Sequence, residues 1–401
     1  MKKRIYAFLF AAFLLASCGE RIPAENGETT PPAFVPEATV PVTEETHVVI
    51  QPAVPQEPVT VIANPGGVQV HTVMLQSEDF RSFRWGEKYT ILVTFDLLRD
   101  KDGNIWKENG VQQRTNFRVH LLDNDSGHVL DEQPLPDASN TPEHLAYTME
   151  GECVLYREEN GAVTQSWSFD VTDGKMQLKC IPPRDSLTLT YQFAVSPDGK
   201  WTAYRVTTDD HNNGGILLRS ESGAETMICE NVMLDKDGSG DIAAVTGYSV
   251  LGFLDSEHLV YNVMGWEWVK GYGICNVTTG EKTEFLDGHR AEAICDGVIY
   301  GMDSGYGGMD AAYILGTDGT ASALTPAAGY EKLLFGTEQF TWGFGGGRWM
   351  LVPYSETGTL NRVYVFSADL KTLEAEIAVT DGTKFRGVVM GDGTVTVVLA
   401  G

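Results

Sequence analysis

One unit constrains the fold of this 401-residue chain more than any other feature: a short strand, a tight turn, and a second strand. Its sharpest copy is residues 193–204, where Phe193, Ala194 and Val195 lead into Ser196, Pro197, Asp198 and Gly199, and Trp201 to Tyr204 lead out. Pro presets φ for the turn, and Gly accepts the positive φ that closes it. Weaker copies occupy residues 82–93, 147–156, 252–261, 293–300, 343–352 and 389–397. From Gly86 to Gly393 the seven copies are spaced by about 51 residues on average.

No helical period interrupts residues 59–401. Short β-branched and aromatic runs alternate there with Gly, Asp and Asn turns, which is the pattern of an all-β chain. Each of the first six units is followed by a second hairpin with its own turn, as at 123–127, 171–174, 221–223, 277–280 and 316–319. A two-hairpin unit of this length is one four-stranded blade of a β-propeller, so seven blades are expected, with six or eight as the alternatives. The seventh unit stops after two strands at Gly401, while residues 58–75 hold a hairpin with a turn at Asn64, Pro65, Gly66 and Gly67. That N-terminal hairpin is expected to complete the last blade. Closing the ring removes edges that would otherwise template aggregation.

The turn from Ser196 to Lys200 resembles the Ser-Pro-Asp-Gly-Lys/Arg turn of the TolB-like propeller family, which is WD40-like in architecture. The resemblance implies the fold over most of the chain. It implies no activity, because propellers host both enzymes and scaffolds.

The N-terminus supplies an address. Lys2, Lys3 and Arg4 precede an apolar run from Ile5 to Leu15, too short to span a bilayer but suited to a signal-peptide core. The run ends in Leu15, Ala16, Ser17 and Cys18, which resembles the lipobox of bacterial lipoproteins. The resemblance implies cleavage after residue 17, lipid such as palmitate on Cys18, and a protein anchored to a bacterial membrane on its extracytoplasmic side. Residues 18–58 follow as a tether. Past Cys18 they hold eight of the 17 prolines and seven Glu, with Arg21 the lone base and Phe34 the lone aromatic. Such a segment cannot bury enough apolar area to offset its ordering entropy. Residues 59–401 form the folded body, read as a monomer.

In a four-stranded blade the first–second and third–fourth turns share one face of the ring. The second–third loops and the blade crossovers share the other. All the tight turns fall on the first face, and the long connections (99–115, 208–214, 230–247, 265–271, 303–310 and 354–361) fall on the second. Long loops on a rigid frame are where recognition concentrates. They carry Asp209, Asp210, His211, Trp266, Trp268, Tyr272, Asp303, Tyr306, Asp310 and Tyr354 as candidate ligand-binding residues. Carboxylates beside aromatic rings suit sugars, or cationic peptides that pair with both charge and π face. The opposing reading packs Trp266 and Trp268 between blades. Asp235, Asp237, Ser239 and Asp241 resemble the start of an EF-hand-type Ca²⁺ loop, with Gly240 at the sixth place. The twelfth position is Thr246 where that family has a bidentate acid, so a plain acidic turn is the competing reading. No cofactor is required, and Ca²⁺ is the one metal the residues suggest.

Charge narrows the partners. The chain has 55 Asp and Glu against 29 Lys and Arg, which excludes nucleic acid as a partner because phosphate binding needs clustered bases. Motifs for zinc hydrolysis, phosphate cradling and the nucleophile elbow are missing from the sequence, and the eight His are scattered. The five Cys after Cys18 sit in apolar strand contexts, where buried free thiols are the default and one disulfide the alternative. The leading expectation is a non-catalytic binding, sensing or protein-interaction module for a protein, peptide or glycan ligand, working through the long-loop face. The alternative is an enzyme acting on glycans through loop carboxylates, whose separation would set its stereochemistry.

Overall fold

A computed structural model of the chain describes residues 58–400, apart from 76, 78, 87, 109–110, 149, 160–161, 185–188, 191, 208–213, 236–241, 266–267, 304–310, 331–339, 354–361 and 381–383. The described residues form an all-β propeller of seven blades and contain no helix. The first blade is the antiparallel meander Asp79–Trp85, Tyr89–Leu97, Arg114–Asp123 and Val129–Pro134. Blades two to six repeat it, opening with His144–Thr148, Phe193–Val195, Ile242–Phe253, His289–Cys295 and Phe340–Gly345. Three blades gain a fifth strand: Leu189–Thr190 on the second, Val232–Asp235 on the fourth and Val59–Ala63 on the sixth.

Turn chemistry explains why the chain reverses where it does. Asp173 and Gly174 have φ of 52° and 70°, and Asp296 and Gly297 have 49° and 70°. Two successive left-handed residues make the turn whose twist matches antiparallel strands, and Asp-Gly tolerates it best. At Ser196 the turn is locked differently. Ser196 Oγ donates to Asp198 Oδ1 (2.8 Å), Trp201 N–H donates to Ser196 Oγ (3.0 Å), and Gly199 N–H donates to Ser196 O (2.8 Å). Hydrogen bonds from Lys200 and then Ser196 hold the Asp198 carboxyl down at about 2. The same wiring recurs at Ser367, Asp369 and Thr372, a copy hidden in sequence because Leu370 replaces Gly at φ 61°.

The blades are joined by apolar seams. Ile91, Val119 and Trp167 pack between blades one and two, Leu218 and Tyr261 between three and four, Tyr272 and Ile299 between four and five, and Tyr300 and Trp349 between five and six. Between two and three the described contact is aromatic, Tyr147 stacking on Phe193 at 5.4 Å. Large aromatic side chains suit this role because each buries much area and few rotamers are lost.

The ring closes through the N-terminal segment, but not as one hairpin in one blade. Call the two strands β1 (Val59–Ala63) and β2 (Gln69–Leu75). β2 runs parallel to Thr394–Ala400 in the seventh blade, whose other strand is Lys384–Gly391. β1 instead pairs antiparallel with Leu373–Val379 at the outer edge of the sixth blade. The reason is direction. β2 must run toward the long-loop face to lead into blade one, which makes it parallel to the last strand of the chain. β1, reversed by the turn at Asn64, then meets an antiparallel edge one blade away. Asn64 fixes that turn by accepting from Val68 N–H and donating to Val68 O, both at 2.8 Å.

Candidate functional site

The two faces differ as the alternation of turns and loops requires. On the tight-turn face, Asp392 N–H donates to Asp125 Oδ1 (3.0 Å), Thr394 Oγ1 donates to Asp125 O, and Gln69 N–H donates to Gly393 O (2.9 Å). The first two bonds stitch the seventh blade to the first, and the third holds β2 to the last strand within the seventh.

On the long-loop face the seam between blades four and five holds a cluster of ionisable side chains. His289 opens the inner strand of blade five, directly opposite Asp303 at the end of its second strand, and Tyr313 lies near the start of the third. Three consecutive strands thus deliver three side chains to one end of one sheet. His289 Nδ1 lies 2.8 Å from Asp287 Oδ2 and Nε2 lies 3.8 Å from Asp303 Oδ1. The tyrosine ring packs edge-on against the imidazole at 4.4 Å, and its hydroxyl donates to Asp303 Oδ2 at 3.4 Å. Although Nδ1 is close to Asp287, the angle makes no hydrogen bond, so this buried ring nitrogen has no aligned partner among the described residues. Gly288 N–H donates to Lys270 O (3.0 Å), tying the loop that carries Asp287 to the strand that starts one residue after Trp268.

Two carboxylates therefore bracket one imidazole at the mouth of a seam. Both are about one-third exposed, with side-chain exposures of 37% for Asp287 and 31% for Asp303 against 18% for His289. Such a group attracts a cation and offers Tyr313 as a π surface beside it. Among the described residues, no group of three or more His, Cys, Asp or Glu is disposed to hold a metal ion. A second concavity, of about 280 Å³, sits at the long-loop end of blade one, lined by Thr94, Asp96, Asn116, Phe117, Arg118 and Pro134. Asn116 Nδ2 donates to Asp96 Oδ2 (2.8 Å) across a bulge that lets both side chains turn toward the opening. Beneath it His120 Nε2 lies 2.9 Å from Thr94 Oγ1, and burial pushes its imidazole pKa down.

Of the residues expected from sequence, Asp303 belongs to the blade-five cluster and Trp268 stands 52% exposed beside its neighbouring loop. Tyr272 requires a correction. It is fully buried between blades four and five, stacks near Phe285 at 5.0 Å, and its hydroxyl donates to Gly316 O (2.7 Å), so it is a seam residue and presents nothing to the loop face. Burial, then the charges of Asp287 and Asp318, push its phenol up to about 12. Cys18, Asp209, Asp210, His211, Trp266, Tyr306, Asp310 and Tyr354 lie outside the described residues. So do Asp237, Ser239 and Asp241, while Asp235 ends the extra strand of blade four, paired with Ile242. Thr246, the twelfth position of that loop, accepts a hydrogen bond from Lys270 Nζ (2.7 Å). Sequence reasoning missed Asp287, His289 and Tyr313. The available signal was His289 at the start of a blade's inner strand with Asp287 two residues before it. The cysteines 153, 180, 229, 275 and 295 are all free thiols.

No protein-family model matches the chain, and no curated protein matches it. Solved structures do. The β-propeller domain of the trilobed protease from Pyrococcus furiosus is 12% identical, with 81% of this chain and 79% of that one covered and a TM-score of 0.35. The C-terminal WD40 domain of Sif2 is 13% identical, with 85% and 88% covered and a TM-score of 0.33. A prolyl endopeptidase is 13% identical, with 79% of this chain but 44% of that one covered and a TM-score of 0.44. Likenesses this remote carry no activity across.

Proposed function

We propose that this protein is a lipid-anchored, extracytoplasmic propeller that binds a cationic peptide or amine on its long-loop face without chemically altering it. The observation that carries the reading is His289 bracketed by Asp287 and Asp303 at the blade-four/five seam. A ligand ammonium or guanidinium about 4 Å from either carboxylate gains between about 1 kcal/mol in bulk water and about 4 kcal/mol in a partly shielded site. Partial exposure places this seam between those limits. The acidic balance of the chain adds a long-range field that steers cations toward it. Lipid on Cys18 and the Pro/Glu-rich residues 18–58 support a body held away from the bilayer, with the ring free to meet a soluble partner.

The test uses fluorescein-labelled hexalysine as the probe, with a neutral cello-oligosaccharide beside it. Asp287→Asn and Asp303→Asn should each weaken hexalysine binding at least fivefold at low salt, while Asp173→Asn, in the tight turn of blade two, leaves it unchanged. Equal losses for all three would show diffuse charge attraction and overturn the site. Turnover or tighter binding of the oligosaccharide would favour the glycan-acting alternative. Membrane attachment is tested separately: Cys18→Ser should move the protein from the membrane fraction to the soluble one.

A further inference from the structure

The seventh blade is narrower than its neighbours. It holds three strands in the order β2, Thr394–Ala400, Lys384–Gly391, and on its other side β2 pairs with no strand among the described residues. Its flanking blades hold five and four strands, so both walls extend outward past β2. Because Gln69 N–H donates to Gly393 O, alternation aims the N–H and C=O groups of Val70, Thr72 and Met74 at the open side. The strand reads Gln-Val-His-Thr-Val-Met-Leu, with no Lys, Glu or Pro to blunt that edge. Exposed apolar groups stand on both sides of it. Met74 is 48% exposed, Val61 on β1 is 43% exposed on the side that faces this blade, and Val129 at the start of blade one's outer strand is 38% exposed. His71 adds a buried Nε2 without a hydrogen-bond partner.

An extended segment with β-branched side chains fits this edge, and the chain carries one immediately upstream. We infer that residues 46–51 (Thr46, His47, Val48, Val49, Ile50, Gln51) form the fourth strand of the seventh blade by pairing parallel to the outer edge of β2. Val48, Val49 and Ile50 are the one run of three β-branched residues within 18–57. Successive side chains of such a strand point alternately toward β1, where Val61 is exposed, and toward blade one, where Val129 is exposed on the same face as the Arg118–Glu132 ion pair. The connection also fits. β1 begins at Val59 opposite Val379, at the long-loop end of blade six. A strand parallel to β2 ends at that same face, and residues 52–58 span up to about 25 Å. Pro52, Pro55 and Pro58 fall in this connection, where missing N–H groups cost nothing. The tether is then shorter than its composition suggests, its free part ending near residue 45. This inference rests on blade topology and is independent of which ligand the long-loop face takes.

Hydrogen exchange on the full chain decides it. If the segment docks, the amides of Val70, Thr72 and Met74 exchange roughly 100-fold slower than unpaired amides. Val49→Pro should abolish that protection, and Val49→Ile should keep it. Gln69, His71 and Val73, bonded to the inner neighbour, stay protected in all variants and report that the blade is intact. Fast exchange at Val70, Thr72 and Met74 in the unmodified chain would overturn the inference. Protection that survives Val49→Pro would do so as well, and protection that grows with protein concentration would assign the edge to a second copy instead.

Discussion

Tyr272→Phe separates a seam tyrosine from a ligand-contacting one. The substitution keeps the ring and its packing near Phe285, and removes one hydroxyl that donates to Gly316 O at 2.7 Å from a fully buried position. A hydrogen bond of this kind contributes about 1 kcal/mol net, and the cost stays near that figure because the half-buried Gly316 carbonyl keeps its bond from Gly319 N–H. The carbonyl belongs to a turn that is otherwise well held, since Gly316 N–H donates to Thr320 O (2.7 Å) and Gly319 N–H to Gly316 O (3.3 Å). For the 343 residues of the propeller, an unfolding entropy of about 2.1 cal/mol/K per residue makes each kcal/mol worth about 1.4 °C. The melting temperature should fall by about 1 to 2 °C in scanning calorimetry, with hexalysine affinity unchanged. An unchanged melting temperature combined with lost binding would refute the seam assignment and return Tyr272 to the ligand.

Four further outcomes rest on burial and hydrogen bonding elsewhere in the ring. Burial depresses the pKa of His120 and of His144, so the folded chain holds fewer protons there than the unfolded one. Their contribution to stability is then complete above about pH 6.5 and is lost as pH falls below it; melting curves at pH 7.5 and 5.5 should differ, and less so in His120→Gln. Burial raises the Cys153, Cys229 and Cys275 thiols, Cys229 to about 11, so Ellman's reagent at pH 8 should leave these three unmodified until denaturant is added. Thr246 is engaged by Lys270, so millimolar Ca²⁺ followed by excess EDTA should move the melting temperature by less than about 1 °C, and a larger rise would establish a site at 235–241. Trp349, fully buried with its indole N–H donating to Ala368 O, should cost about 3–5 kcal/mol when changed to Ala, read as a lower urea midpoint.

How much of this was legible beforehand depends on range. Asp173-Gly174 and Ser196-Pro-Asp-Gly199 are local: their backbone angles follow from the residues themselves, so the hairpins and the blade count could be read directly. The partition of β1 and β2 between two blades could not. It depends on which sheet edge lies open after the chain has gone round the ring, a fact written in no neighbouring residue. The site shows the same divide. Asp303 and Trp268 stood out because aromatic and acidic residues in long connections attract attention. His289 and Asp287 were overlooked because they gain meaning only when register places His289 across from Asp303. Tyr272 erred the opposite way, since a tyrosine just after a long loop lies within two residues of either environment, and the seam takes it.

Closure of the ring rests on non-covalent pairing, of β2 with the last strand and of β1 with blade six, and this makes two chemically equal substitutions differ. Leu399 is fully buried in the cluster with Val68, Val397 and Ile377, where the last strand of the chain meets β2. Leu259 is equally buried with Ala203 and Tyr261, between blades that the chain already joins covalently. Changing either to Ala removes the same atoms and costs about 2–5 kcal/mol globally. Locally the outcomes should diverge. With Leu259→Ala, neighbouring blades stay tethered, and exchange of backbone amides quickens only near the cavity. With Leu399→Ala the ring can part between β2 and Thr394–Ala400, so the amides of Gln69, His71 and Val73 should exchange faster while blades three and four keep their protection. A protease cut appearing in residues 64–68 of this variant alone would report the same opening. If both variants instead lose protection uniformly around the ring, the propeller unfolds as one cooperative unit and the closure is no weaker than any other seam.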